Sequence, residues 1–241
     1  MHHVIQLISN AFLNLVYPPL CLYCRETVQD EKHPLCHSCL SLLELIDPHE
    51  RCPHCFSSQF CVEKRLCPEC LRKPPMLNGI GAAFDYAGPA ACLIRKLKYA
   101  DLSYLADGCG AYLAAQFLQL GWPMPDVLIP IPIAMTHWIE RGYNQSLLLA
   151  QSLSKILDRP VQEALIRKSG DYSQAGLSRK QRLELDGNLF HLKKSQNLAD
   201  KNILLIDDVM TTGSTLRKCA ESLQEECPST IYGLAVCRAI K

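Results

Sequence analysis

Thirteen consecutive residues, Ile203-Leu204-Leu205-Ile206-Asp207-Asp208-Val209-Met210-Thr211-Thr212-Gly213-Ser214-Thr215, restrict the possible folds of this chain more than any other segment. Four apolar residues in a row predict a strand buried on both faces, as in a parallel sheet. Two carboxylates follow at its carboxyl end, where open α/β sheets bind ligands. The next five residues are small and rich in hydroxyls. Gly213 lets the backbone approach a ligand closely. A helix is predicted to start there and run through Leu216 to Leu223. Its N-terminus adds a partial positive charge, so the turn can cradle a phosphate. Acceptors for sugar hydroxyls and donors for a phosphate thus lie on one element, the combination that a ribose 5-phosphate needs.

The stretch closely resembles the phosphoribosyl-pyrophosphate signature of type I phosphoribosyltransferases, in which a strand and an acidic pair precede a Thr-Thr-Gly-x-Thr loop. That resemblance implies that Asp207 and Asp208 are the catalytic pair and bind the ribose 2′ and 3′ hydroxyls. It further implies that Thr211, Thr212, Gly213, Ser214 and Thr215 hold the 5-phosphate, and that Mg²⁺ accompanies phosphoribosyl pyrophosphate.

The other strong pattern is a doubled set of cysteines. Cys21-Leu-Tyr-Cys24 precedes Cys36-His-Ser-Cys39, and Cys52-Pro-His-Cys55 precedes Cys67-Pro-Glu-Cys70, with 11 residues between the pairs in each half. Two thiolate pairs close a tetrahedral Zn²⁺ shell and leave no open position, which predicts structural zinc. Zinc would replace much of the core that about 50 residues struggle to build. Sequential and cross-braced pairing both fit the spacing. Cys61, His33, His37 and His54 are spare donors and read as neighbours of the sites rather than ligands.

Alternating strands and helices after residue 76 predict a doubly wound α/β sheet. Strands are expected at 80–86, 126–132, 161–167, 203–206 and 231–237, and helices around 89–99, 103–119, 144–157 and from 214. The domain reading is an amphipathic helix over 1–19, a zinc module over 20–72 and an α/β domain over 76–241. The first helix ends at Pro18-Pro19. It lacks the Lys/Arg face of membrane-surface helices and reads as packing on the zinc module. Polar residues 168–188 read as a long loop of the kind that forms lids.

Two further segments could complete an anion site. Pro130-Ile131-Pro132 leads to Arg141-Gly142-Tyr143-Asn144-Gln145-Ser146, where Arg141 offers a bidentate contact. Without the signature it would read as a surface turn capped by Asn144. Lys98 lies in the basic helix end Arg95-Lys96-Leu97-Lys98-Tyr99 and is a second candidate. Arg167, Lys168, Arg179, Lys180 and Arg182 face a single acid, Asp171, between 167 and 182. Such a loop could close over pyrophosphate or follow a nucleic-acid backbone.

The formal net charge is +1, and eight zinc-bound thiolates against two Zn²⁺ bring it to about −3. Nucleic-acid binding would therefore need local patches. The first Lys or Arg is Arg25, so no positive n-region of a secretory signal precedes the apolar start. No apolar run is long enough to span a membrane. A cytoplasmic location is expected.

In their order, Tyr17-Pro18-Pro19-Leu20-Cys21 with its knuckles, Lys96-Leu97-Lys98-Tyr99, Pro130-Ile131-Pro132, Arg141 to Gln145, Gln174 with Arg182 and Asn188, and the Asp207 to Thr215 loop resemble the ComF family of competence proteins. The resemblance implies an N-terminal zinc finger joined to a phosphoribosyltransferase-type domain. It also implies handling of single-stranded DNA at the inner cytoplasmic face, beside proteins of the DNA-uptake machinery. Turnover as a phosphoribosyltransferase and non-catalytic sensing of phosphoribosyl pyrophosphate stay open.

Overall fold

The computed structural model describes residues 19–28, 33–60, 66–72, 76–99, 102–168, 189–193 and 197–239. The expected N-terminal helix (but for Pro19), most of the 168–188 loop and Cys61 lie outside the described residues.

The cysteine-rich part carries two short helices, α1 (His37–Leu40) and α2 (Pro68–Arg72). Then come β1 (Gly79–Asp85), α3 (Gly88–Tyr99), α4 (Leu105–Leu120), β2 (Val127–Pro130), α5 (Met135–Arg141) and α6 (Gln145–Leu157). The chain continues through β3 (Leu165–Arg167), β4 (Phe190–Leu192), β5 (Asn202–Met210), α7 (Ser214–Leu223) and β6 (Thr230–Arg238). The main sheet has the order β1-β6-β5-β2, and every neighbouring pair is parallel.

The apolar run of β5 fills both sides of this sheet. Leu204 and Ile206 join the core formed with α3, α4 and α6. Ile203 and Leu205 face the opposite core, which includes Leu216, Cys219 and Leu223 of α7. Successive strand residues point to opposite faces, so helices on both sides remove the whole run from water. Among the described residues no helix is long and apolar enough to cross a membrane.

Two local expectations change. Val161 to Arg167 is not one strand of the main sheet. Val161 makes an isolated parallel bridge to Leu128, whereas Leu165–Arg167 pairs antiparallel with Phe190–Leu192 in a separate two-stranded sheet. Only one side of that hairpin is covered: Leu165 and Phe190 are buried, while Ile166 is half exposed. Helix α5 was not foreseen. It buries none of its residues, so it lacks the apolar stripe by which a helix is read from sequence.

The cysteine-rich part packs on the sheet through both apolar and polar contacts. Leu35 and Cys39 enter the core that holds α3, whereas Ile46 and Phe56 enter the core behind β1. The Ile46 amide donates to the Ala83 carbonyl (2.9 Å), and Gln116 Nε2 donates to the Ile46 carbonyl (3.0 Å). Arg51 pairs with Asp85 at 2.8 Å, and Arg238 Nη1 donates to the Cys55 carbonyl at 2.6 Å. These last contacts tie the second cysteine half to the carboxyl ends of β1 and β6.

Candidate functional site

The Asp207-Asp208 pair lies near the carboxyl end of β5, where parallel pairing with β2 has already ended at Ile206. Asp207 is half-buried and Asp208 is buried. Asp207 Oδ1 accepts from the Asp208 amide at 2.9 Å and from Ser146 Oγ at 3.3 Å. Lys98 Nζ lies 2.9 Å from Asp208 Oδ2. Burial and the adjacent Asp208 charge push the Asp207 carboxyl up to about 7, against the opposing pull of the Asp208 amide, Lys98 and Ser146. Two acids on neighbouring residues cannot both ionise cheaply at the mouth of a packed sheet. Among the described residues, Asp207 Oδ2 and Asp208 Oδ1 accept no hydrogen bond from protein and remain available to a ligand.

The turn after β5 forms the other half of the site. Gly213 has φ +71° and caps α7, and no side chain caps that helix. Its first amides are therefore not used up by a side-chain oxygen, the condition for an anion cradle. A Cβ at Gly213 would lie 2.9 Å from Ile80 Cδ1, which a side-chain shift can relieve, so it is the left-handed φ of +71° that requires glycine. Asp207, Thr211, Gly213, Ser214 and Thr215 line a small cavity of about 30 Å³. Thr211, Thr212 and Ser214 are exposed. Arg217 reaches back to the Thr212 carbonyl and braces the turn from outside the cavity.

Arg141 does not touch the carboxylates. Its guanidinium sits over the Tyr99 ring at 4.9 Å and donates to the Tyr99 hydroxyl at 3.3 Å. Its Nε is buried without a hydrogen-bond partner. Lys98, by contrast, joins the acidic pair directly. Asn144 Oδ1 accepts from the Ser146 amide at 3.0 Å as the cap of α6, and Asn144 Nδ2 donates to the Ile131 carbonyl at 3.0 Å. The cap thereby aims the Ser146 hydroxyl at Asp207. Ser146 is the contact that sequence reasoning passed over; its position in the first turn of a capped helix was the available signal.

The eight knuckle cysteines form two separate groups, Cys21/Cys24/Cys36/Cys39 and Cys52/Cys55/Cys67/Cys70, with sulfurs within 4.8 Å of one another in each. Pairing is therefore sequential, not cross-braced. Cys24 and Cys36 sulfurs are 3.5 Å apart, and those of Cys55 and Cys67 are 3.4 Å apart. Zn–S bonds of about 2.3 Å give tetrahedral edges of about 3.8 Å, so each donor set fits Zn²⁺. His33, His37 and His54 belong to neither group. The first group is partly exposed and the second is buried. Both knuckles turn through a left-handed residue after the second cysteine, Arg25 (φ 68°) and Phe56 (φ 59°).

The phosphoribosyl transferase domain family model matches residues 143–239, which include Asn144, Ser146, the acidic pair and the cradle. Competence protein F of Haemophilus influenzae is 30% identical over 211 residues, 85% of this chain and 90% of that protein. The chain belongs to the ComF family. The DNA utilization protein YhgH of Escherichia coli O6:H1 is 31% identical over 233 residues, 94% of this chain and all of that protein. Competence protein ComFC of Bacillus subtilis is 30% identical over 203 residues, 82% of this chain and 80% of that protein. As in the ComF reading of the sequence, a phosphoribosyltransferase-type sheet flanked by helices follows two Cys₄ groups suited to zinc.

Proposed function

We propose that this chain handles single-stranded DNA in competence-related DNA utilisation, and that it binds phosphoribosyl pyrophosphate through the Asp207-Asp208 and Thr211–Thr215 site. The observation that carries the second part is the pairing of two free carboxylate oxygens at the end of β5 with the uncapped start of α7 that follows it. Asp207 Oδ2 and Asp208 Oδ1 would accept from the ribose 2′ and 3′ hydroxyls. The cradle amides and the hydroxyls of Thr211, Ser214 and Thr215 would hold the 5-phosphate. Lys98 would hold the Asp208 carboxylate in place through its ion pair, and Arg141 would approach the pyrophosphate once released from Tyr99. A bound Mg²⁺ would supply charge neutralisation for the pyrophosphate. The DNA part rests on the relatives, among them proteins named for competence and DNA utilization. Titration of each ligand is the test: single-stranded DNA and phosphoribosyl pyrophosphate should both bind, their competition shows whether the two sites overlap, and Asp207→Ala should lose the sugar ligand. Equal binding of phosphoribosyl pyrophosphate by wild type and Asp207→Ala overturns the site assignment; an oligonucleotide that never binds overturns the DNA role.

One observation favours turnover as a second reading. A carboxyl held at about 7 suits proton transfer near neutral pH. A nitrogen nucleophile would form a bond to the ribose C1 as the C1–O bond to pyrophosphate breaks. The bonding electrons leave with pyrophosphate, and the nucleophile's proton passes to Asp207 or to water. Pyrophosphate release across a panel of nucleobases tests it, and absence of release with every acceptor counts against it.

A further inference from the structure

A cleft of about 460 Å³ opens between the first cysteine knuckle and the last turns of α3. Its floor is apolar: Leu22 and Cys92 close it, with the Cys92 thiol donating to the Leu22 carbonyl at 3.3 Å. Its walls carry Tyr23, Arg25, Arg95, Lys96 and Tyr99. Among the described residues lining it there is no carboxylate. Three cations over an apolar floor, flanked by aromatic rings, match a ligand with phosphates outside and a flat apolar body inside. The volume lies in the range of small-ligand sites.

Two details show that the cleft is organised for contact. Tyr99 is 72% exposed and Tyr23 43% exposed, yet Tyr99 is held by Arg141 stacked on one face and bonded to its hydroxyl. Most of the Tyr99 side chain nevertheless remains exposed. Arg25 occupies a left-handed turn position that glycine takes without strain. The equivalent Phe56 spends its side chain on the core at 1% exposure, whereas the Arg25 side chain lines the cleft. The helix that forms this wall turns its next cation, Lys98, onto Asp208, so the cleft and the ribose-phosphate site are joined at the end of α3.

We infer that the cleft is a subsite for one or two nucleotides of single-stranded DNA, with Tyr23 and Tyr99 stacking on bases and Arg25, Arg95 and Lys96 neutralising phosphates. The inference rests on the DNA-handling reading above. It places the strand's contact outside the acidic pair, between the zinc module and the α/β domain.

The test uses the full zinc-loaded chain, a fluorescent oligothymidylate read by anisotropy at several salt concentrations, and calorimetry with phosphoribosyl pyrophosphate. Arg25→Gly removes the cation while easing the backbone, so lost binding does not report misfolding. It should weaken oligonucleotide binding and flatten the slope of log affinity against log salt by about 0.7. Tyr23→Ala should weaken binding about five- to 150-fold. Both variants should bind phosphoribosyl pyrophosphate as wild type does. Oligonucleotide affinity and salt slope unchanged in both variants overturn the subsite while leaving the DNA role intact. Wild type that binds no oligonucleotide overturns both. Thymidine monophosphate binding as tightly as the oligonucleotide assigns the cleft to free nucleotides instead, and equal loss of phosphoribosyl pyrophosphate binding merges it with the ribose-phosphate site; either outcome overturns the strand subsite.

Discussion

Replacing Lys98 with methionine keeps the length of the side chain and removes its charge, so it isolates what the ammonium does for the acidic pair. Lys98 Nζ is 2.9 Å from Asp208 Oδ2, with side-chain exposures of 21% and 10%. At an effective dielectric of about 20 that separation corresponds to about 6 kcal/mol of attraction. The ammonium gives up hydration to reach this position, and methionine does not, so the net loss is about 2–3 kcal/mol. For a chain of this size that lowers the melting temperature by about 4–12 °C. The loss depends on pH. Asp207 is raised to about 7, so the folded chain holds a proton that the unfolded chain releases, and wild type already loses stability as pH climbs from about 4 to about 7. Without Lys98 that slope steepens, because the Asp207 carboxylate then forms without the nearby cation that favours it. Thermal unfolding of Lys98→Met should therefore show a loss already near pH 5.5, growing by about 1 kcal/mol toward pH 8 as Asp207 ionises. A cycle with Asp208→Asn should return a coupling energy of about 2 kcal/mol near pH 8. Coupling below about 0.5 kcal/mol would show that the lysine stem matters through packing and that the charge argument is wrong.

Phosphoribosyl pyrophosphate affinity should rise about tenfold between pH 6 and pH 8 as Asp207 ionises around 7, and Asp207→Asn should flatten that dependence in a calorimetric titration. Gly213→Ala places a methyl group at φ +71° and 2.9 Å from Ile80 Cδ1. It should lose about 1–2 kcal/mol in denaturant unfolding and weaken the sugar ligand, and unchanged stability would mean that the turn is not fixed as described. Metal analysis should find two zinc ions per chain, given the two Cys₄ groups. Cys55→Ser should leave about one zinc and unfold at lower temperature than Cys24→Ser, because the Cys55 group is buried and Cys24 is exposed; equal effects would mean that the two halves contribute alike.

Local patterns carried most of what could be read from the sequence. The run Ile203 to Ile206 announced a doubly covered strand because every side chain in it is apolar, and the cysteine spacing announced two closed shells because a thiolate pair needs little else. Helix α5 was illegible because Met135, Trp138 and Ile139 remain exposed and leave no buried stripe. The β3–β4 hairpin was illegible because its two strands are separated by more than twenty residues and only Leu165 and Phe190 face the core. In the site, Lys98 was placed near an anion by its position in a basic turn, yet the structure brings it to a carboxylate. Arg141 is engaged by Tyr99, a contact across 42 residues that no local pattern encodes. The links from Arg51 to Asp85 and from Arg238 to the Cys55 carbonyl are equally invisible until the fold is known.

The position of β6 sets the order in which the chain can assemble. It is the last strand in sequence, yet it lies between β1 and β5, pairing Gly79 with Tyr232 on one side and Asn202 with Thr230 on the other. Until those residues have been synthesised, β1 and β5 have no direct ladder to join them. The knuckles, made of contacts close in sequence, can close early, but the acidic pair gains its flanking strand only at the end. Long-range pairing of this kind is slow. Nascent chains should therefore acquire metal well before they acquire affinity for a sugar phosphate, and a chain cut before Thr230 should keep the first property without the second.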